Sequence, residues 1–471
     1  MKQFLIIHPF LFAIAPILFL FAYNIDEVSG TDLILPLLVA ITGTLILMLS
    51  LRLITKDYNK IAIITSTFLI LFFSYGHIRD LIYSLLTLRG VNSDILIGPV
   101  TNFSLGPLWV LLFGGGAFLI IRAHRDFSTS TKFLNIVAIT LVAISLINIG
   151  IYEISMAKLM PETTNGRPTS VDSKDSDNLP DIYYIILDAY KRQDVLKEVF
   201  DYDNSEFINF LTDKGFYVAS NSTCNYMATI PSLSSSLNMR YINYITDTVD
   251  TNLEANTILR EMIQDNEVSR FLKSRGYRYI FVDGGFFADG MDKYADVYRQ
   301  PKYRIGMTNF VSGLIHTTAL APFALRYIGT RWGDFVLYSF DTLANLPNYK
   351  EPVFVFTHNC CTHGPFVFDC EGNRVKGGEG TYVDAISFTN KRIKGVIDEI
   401  LSKSDVAPII ILQGDHGNEH KILNAYYFPR EDYDLLYETI SPVNSFRIVF
   451  NLYFDADYEL LEDESRGETK K

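Results

Sequence analysis

Three passages put acids and histidines where a strand would end. "YYIILDAY" delivers Asp188, "VFVFTHNCCTHGPF" delivers His358 and His363, and "IIILQGDHGNEH" delivers Asp415, His416 and His420. Asp415 and His416 are adjacent, and Gly414 and Gly417 on either side let the backbone turn sharply and approach a bound group. A carboxylate beside a neutral imidazole suits a divalent cation of intermediate hardness. Asp188 adds a second carboxylate; alone it would read as the N-cap of the segment that follows, and it gains its metal reading from the company of the other two. His420 reads as a further substrate ligand or as a solvated loop histidine.

The elements that must carry these residues follow from hydropathy. After residue 180, continuous apolar runs ("DIYYIIL", "YRYIFVDGG", "PVFVFTH", "APIIILQ") alternate with amphipathic helical patterns such as "ANTILREMIQDNEVSRFLKSRG" and "TNKRIKGVIDEILSKS". This alternation predicts an α/β domain over residues 181–455, its largely parallel sheet covered by helices on both faces. Ligands in such folds bind beyond the carboxyl ends of the strands, where the three passages end. Residues 153–180 are rich in Ser, Thr, Asp, Asn and Pro and read as a linker, and residues 456–471 are expected to form a tail too charged to join the core.

The first 152 residues are of another kind. Apolar stretches at 3–23, 33–51, 61–78, 105–121 and 133–152 are each close to the roughly 20 residues that cross a bilayer as a helix. His77, Arg79 and Asp80 interrupt the third, so a topology without that span, with the large domain inside, stays open. A signal peptide is the rival reading of the first stretch, which lacks a clear cleavage site. Lys2, Arg52, Lys56, Lys60, Arg122, Arg125 and Lys132 fall on one side of a five-span arrangement, while Asp26, Glu27, Asp32, Arg79 and Arg89 fall on the other. The positive-inside rule then predicts a multi-pass protein of the cell (inner or plasma) membrane, its N-terminus cytoplasmic and the domain after residue 153 extracytoplasmic. The net charge of -12 argues against nucleic acid as a partner. The four cysteines, Cys224, Cys360, Cys361 and Cys370, show no CxxC spacing, which argues against a cysteine zinc site. An outside location permits a disulfide from Cys360 or Cys361 to Cys370, but buried or singly paired thiols are the simpler expectation.

A strand ending in an acid, a hydroxyl at a helix start, a His-x-Pro-like segment and a strand ending in Gly-Asp-His-Gly together resemble the alkaline phosphatase superfamily in its sulfatase-like branch. The resemblance covers residues 181–455, and the five spans before it resemble lipoteichoic acid synthases and related phosphoglycerol transferases. In the sulfatase frame Cys/Ser-x-Pro-x-Arg, the stretch "TIPSL" puts Thr229 at the nucleophile, keeps Pro231 and has Leu233 in place of the arginine. Threonine cannot become formylglycine, and Asp188 is followed by Ala189 rather than a second acid. Both departures point to the phosphotransferase side of the family. "THNCCTHGPF" is similar to the His-x-x-x-Ser-His-Gly-Pro passage of phosphoethanolamine transferases, with His358, Thr362, His363, Gly364 and Pro365 in register. The first-strand position of those transferases is usually glutamate, so Asp188 has a shorter reach.

The resemblance implies one divalent metal ion (Mn, Mg, Zn or Ca) on Asp188, Thr229, Asp415 and His416, with His358, His363 and His420 facing substrate. Metal coordination would make the Thr229 hydroxyl a usable nucleophile at neutral pH. A helix start there favours negative charge. The other reading of Thr229 is a helix cap, and Ser232 and Ser234 are rival nucleophiles. The expected activity is transfer of a phosphoglycerol or phosphoethanolamine group from a phospholipid donor to an extracytoplasmic polysaccharide or glycolipid. A sulfatase-like hydrolase and a catalytically silent binding protein of the same fold are the alternatives.

Overall fold

The computed structural model describes residues 5–25, 28, 30–88, 93–159, 179–248, 252–285, 293–301, 309–346, 348–364, 366–375, 380–429 and 432–466. The chain divides into two compact units, residues 1–163 with 303–328, and residues 164–302 with 329–471.

The first unit is helical. Helices α2 (Ile34–Leu51), α3 (Tyr58–Leu88), α4 (Ser93–Arg122) and α5 (Ser128–Leu159) each contain a segment long and apolar enough to cross a membrane. They follow a shorter apolar helix, α1 (His8–Tyr23). With Pro9 in its first turn, α1 spans about 24 Å at 1.5 Å per residue, less than the ~30 Å hydrocarbon core. Large apolar side chains such as Leu111, Leu119, Ile136 and Ile147 point outward, as expected of helices whose solvent is lipid. Helix α3 runs unbroken through the charged triplet that marked it as the weakest span. Arg79 Nε and Nη2 donate to Asp80 Oδ1 at 2.9 and 2.8 Å, and Nη2 also donates to His316 Nε2 at 2.9 Å. His316 belongs to the helix Asn309–Thr317, which the sequence reading had left within the large domain and which instead packs with the first unit through Phe310 and Leu314. Gly76 permits that approach, because a Cβ there would lie 2.2 Å from the His316 carbonyl oxygen.

Among the described residues of the second unit, one sheet has seven strands in the order β2-β7-β6-β1-β5-β3-β4. They are β1 (Ile182–Leu187), β2 (Tyr217–Val218), β3 (Arg278–Gly284), β4 (Val297–Arg299), β5 (Val353–Asn359), β6 (Ile409–Gly414) and β7 (Asn424–Tyr427). The pairs β1/β5, β1/β6, β3/β5 and β3/β4 are parallel, while β7 runs antiparallel to β6 and to β2. Strands β1, β5 and β6 are buried at every residue, because each has a covered face on either side. Alternation sorts their side chains into two cores. Tyr183, Ile185, Leu187, Val355, Ile410 and Leu412 point to one, under the helix Tyr382–Lys403. That helix is started by a reciprocal cap between Thr381 and Asp384. Ile182, Tyr184, Ile186, Phe354, Phe356, Ile409 and Ile411 point to the other, with Leu233 and Leu237 of the helix Thr229–Leu237 and Phe446 and Phe450 of the helix Pro442–Tyr453.

Three boundaries differ from the sequence reading. Helix α5 continues to Leu159 where a linker was expected from residue 153, and residues 160–178 of that linker lie outside the described residues. Residues 303–328 join the first unit. The tail does join the core over residues 456–466. Tyr458 and Leu460 pack on it while Asp455, Asp457 and Glu459 stay exposed. Asn444 Nδ2 donates to the Leu461 carbonyl, and Arg466 N donates to the Asn225 carbonyl. Counting charges hid this period-two pattern, which lets an acidic segment lie flat with one apolar edge. Residues 467–471 lie outside the described residues.

Gly414 ends β6, and a Cβ on it would meet the Tyr190 carbonyl oxygen at 2.4 Å; one on Gly417 would meet the Lys421 carbonyl oxygen at 2.4 Å. Neither glycine has a positive φ, so close backbone approach, not a sharp turn, accounts for both. Gly414→Ala is expected to cost about 1–3 kcal/mol, the usual range for overpacking. Thermal unfolding of the full-length protein in detergent should show a clearly lowered Tm, and an unchanged Tm would refute this account of the glycine.

Candidate metal centre

The parallel register decides what meets at the strand ends. Leu187 is level with Asn359 of β5 and Gly414 of β6, so Asp188 comes next to Cys360 on one side and Asp415 on the other. Asp188 N donates to the Asn359 carbonyl at 2.9 Å, continuing the ladder. Alternation fixes the face: Asp188 follows Ile182, Tyr184 and Ile186; His358 follows Phe354 and Phe356; Asp415 follows Ile409 and Ile411. All three therefore project to the side where the helix Thr229–Leu237 packs.

The result is a compact group of two acids and two imidazoles. His416 Nε2 lies 3.4 Å from Asp188 Oδ1 and 3.7 Å from Asp415 Oδ2. His358 Nε2 lies 3.4 Å from Asp415 Oδ2 and 3.7 Å from Asp188 Oδ2. These separations exceed the 2.7–3.2 Å of ordinary N–H···O bonds. They suit nitrogens and oxygens on the edges of a tetrahedron around zinc, which are about 3.3 Å long for bonds of about 2.0–2.1 Å. Asp188 is fully buried, and neither of its carboxylate oxygens has a hydrogen-bond partner. Asp415 is held differently: its Oδ1 accepts from Ala189 N at 2.9 Å and from its neighbour His416 N at 2.8 Å, leaving Oδ2 toward the imidazoles. Ala189 reaches it from a left-handed conformation, φ 57°, uncommon for a residue with a Cβ. One ligand atom from each of Asp188, Asp415 and His416 fits within 4.8 Å, and so does one from each of Asp188, His358 and Cys360.

Electrostatics agree with a cation site. Burial works against charge on both Asp415 and His416, yet each stabilises the other. Asp415, with His416 and His358 close by, is held well below the usual carboxylate range, and His416, facing Asp415 and Asp188, is raised to about 9. In the protein without an ion, protonated His416 thus supplies the positive charge that the carboxylates require.

Thr229, 7% exposed, is the first residue of its helix, and the N-cap is Ala228, with no side-chain cap bond. The helix is tied to the centre one turn later, where the Ser232 hydroxyl donates to the Asp415 carbonyl at 2.5 Å. The other serines are spoken for as well. Ser234 donates to the Leu259 carbonyl at 2.7 Å, Ser235 to the Arg240 carbonyl at 2.7 Å, and Ser236 accepts from the Tyr184 hydroxyl at 3.1 Å. His363, half-buried, lies just past β5, with Nδ1 2.6 Å from the Gly364 carbonyl and its ring near Trp332; Pro365 lies outside the described residues. His420 turns away to the loop before the Thr229 helix, its Nδ1 3.6 Å from Cys224 Sγ and its carbonyl accepting from Cys224 N at 2.7 Å.

The sequence reading missed two residues. Lys191 is nearly buried, its ammonium 3.8 Å from the centre of the Tyr382 ring, and burial lowers it to about 8 against the pull of Asp188. Its position three residues past Asp188 was the available signal. Cys360 is fully buried with Sγ 3.8 Å from His358 Nδ1. Motif spacing misses it, because a mixed Asp, His and Cys set drawn from different strands has no spacing rule. All four cysteines are free thiols; Cys224, Cys360 and Cys361 are buried, as the simpler expectation had it, whereas Cys370 is exposed.

No protein-family model matches the sequence. No curated protein matches it. Among solved structures, similarity is found with the C-terminal periplasmic domain of EcEptC from Escherichia coli in complex with Zn, at 12% identity over 60% of this chain and 84% of that one, with a TM-score of 0.39. A protein in the alkaline phosphatase superfamily from Vibrio parahaemolyticus is 12% identical over 59% of this chain and 67% of its own, with a TM-score of 0.41. The integral membrane lipooligosaccharide phosphoethanolamine transferase A (EptA) from Neisseria meningitidis is 13% identical over 95% of both chains, with a TM-score of 0.37.

A ligand that binds only the folded state raises stability with its concentration. Added Zn²⁺ or Mn²⁺ is therefore expected to raise the Tm of metal-stripped wild-type protein progressively and to leave Asp188→Asn unmoved. Equal metal-induced shifts in the two proteins would remove Asp188 from the site.

Proposed function

We propose that this protein is a membrane-anchored, metal-dependent transferase that moves a phosphoglycerol or phosphoethanolamine group from a phospholipid to an extracytoplasmic glycan through a phospho-threonine intermediate. The observation that carries the reading is the pair of buried, unbonded Asp188 oxygens facing two imidazoles beside Asp415, with the Thr229 helix tied to the Asp415 backbone by Ser232. Five spans with a cytoplasmic N-terminus would put the α/β domain outside the cytoplasm, in a membrane that supplies the lipid donor.

In this reading Asp188, Asp415, His416 and Thr229 hold one divalent ion. Bound there, such an ion would lower the pKa of the threonine hydroxyl and offset charge on the phosphoryl oxygens. Thr229 Oγ1 loses its proton to solvent and attacks the donor phosphorus, and the bond from phosphorus to the diacylglycerol oxygen breaks, that oxygen taking up a proton. An acceptor hydroxyl then attacks the same phosphorus, loses its proton, and displaces Thr229, whose Oγ1 takes up a proton. The free N–H groups at the uncapped helix start favour the negative charge of the transferred group. Ser232 and Ser234 are poor rivals, their hydroxyls being committed to main-chain carbonyls. His363, with Nδ1 engaged by the Gly364 carbonyl, offers Nε2 to the leaving oxygen. The Lys191 ammonium, which faces Asp188 electrostatically, adds positive charge for an anionic substrate.

Intact-mass analysis of the Thr229 peptide after incubation with mixed phospholipids and Mn²⁺ tests this. A phosphoglycerol or phosphoethanolamine adduct on Thr229, absent from Thr229→Ala, is expected and names the head group. An adduct on Ser232 or Ser234, or sulfate ester cleavage without any adduct, would overturn the reading.

A further inference from the structure

We propose that Asn225 is a positioning residue for Thr229, and that the C-terminal segment 461–466 is the strap that holds Asn225 to that task. The inference rests on the reading of Thr229 as nucleophile and is independent of which group is transferred. Thr229 stands at a helix start whose N-cap, Ala228, makes no side-chain bond, and helix ends left this way fray. Ser232 ties the helix to the Asp415 backbone on the far side of Thr229. On the near side the tie is Asn225, four residues earlier.

Asn225 is 1% exposed, and its side chain joins three other segments. Oδ1 accepts from Val443 N at 3.0 Å, in the first turn of the helix Pro442–Tyr453. Nδ2 donates at 3.0 Å to Ser441 Oγ, the N-cap of that helix, and at 3.0 Å to the Glu464 carbonyl of the strap. Ser441 makes no capping bond of its own. Its hydroxyl donates instead to Asp463 Oδ1 at 2.6 Å, which leaves the oxygen free to accept from Asn225. The strap closes over the loop as well: Arg466 N donates to the Asn225 carbonyl at 2.9 Å, and the Ser465 hydroxyl donates to the Cys224 carbonyl at 2.9 Å. One turn further along the same helix, Ser445 Oγ accepts from Gln413 Nε2 at 3.2 Å, two residues before Asp415. The loop that leads to Thr229 and the strand that leads to Asp415 are therefore indexed to one helix, and Asn225 is the loop's half of that connection. Losing it shifts Thr229 relative to Asp188, Asp415 and His416 without touching any of them.

The test measures the rate at which the Thr229 adduct forms in the full-length protein in detergent, at saturating mixed phospholipids and Mn²⁺, beside the metal-induced rise in Tm. Asn225→Ala is expected to slow the adduct by up to about 100-fold, the loss that a misplacement of about 1 Å can bring, and to keep the metal-induced rise. Asp463→Ala should also slow it. Asp463→Asn, which keeps an acceptor for Ser441, should restore the wild-type rate. Asn266→Ala removes another buried asparagine, the N-cap of the helix Glu267–Ser274; it should lower the Tm without slowing the adduct. Should Asn225→Ala fail to fold, the comparison of Asp463→Ala with Asp463→Asn carries the test. A wild-type rate in Asn225→Ala or Asp463→Ala would overturn this proposal alone, as would equal slowing by Asn266→Ala or loss of the metal-induced rise along with the rate. Absence of any Thr229 adduct in wild type would overturn the nucleophile reading and this proposal with it.

Discussion

A carboxylate in the interior without a hydrogen bond is among the costliest things a protein can keep, since desolvating an ion costs several kcal/mol even after relaxation. Asp188 is such a group, fully buried and with both oxygens unbonded. Asp415, one strand away, shows the contrast: one of its oxygens is taken by two backbone N–H groups, and only the other faces the imidazoles. The central strands account for this juxtaposition. Parallel pairing of β1 with both β5 and β6 brings three chain segments to one level, and alternation turns Asp188, His358 and Asp415 to a single face. Closing the sheet that tightly requires Gly414 and a left-handed Ala189, local costs that the surrounding core must offset.

The serine-rich helix belongs to the same construction. Its four serines, almost completely buried, look wasteful in an apolar interior, yet each is satisfied by a named partner. Together these bonds fix the helix against β1, the end of β6, the helix Asn252–Gln264 and, at Arg240, the turn that follows its own last residue. Thr229 at its start is the hydroxyl left without a capping duty, because the N-cap is Ala228. The polar content of the stretch thus separates into serines that position and a threonine that the proposed mechanism uses.

Much of this was legible in the residues. Apolar runs ending in acids marked the strands and where those acids stand, and the Asp415-His416 pair marked the candidate cation site. The apolar stretches of the first 152 residues correspond to helices, with Pro9 delaying the start of the first. What escaped notice depends on register and on period. That His358 stands within 3.7 Å of both acids follows from which strands are neighbours, which a single sequence does not encode locally. Cys360 was set aside for want of a motif. The acidic tail was set aside for its charge, although Tyr458 and Leu460 alternate with acids in the pattern of a chain lying on a core. The helix Asn309–Thr317, moderately apolar and short, carried no sign that Gly76 would receive it against α3.

The central claim is that the Asp188 carboxylate exists to hold a cation. Anomalous diffraction at the zinc edge from crystals of the zinc-loaded protein tests it most directly. The account predicts a peak about 2.0–2.2 Å from Asp188 Oδ1, with Asp415 and His416 at similar distances. An ordered centre with no anomalous peak, in which His416 and His358 instead close up to donate short hydrogen bonds to Asp188, would contradict it.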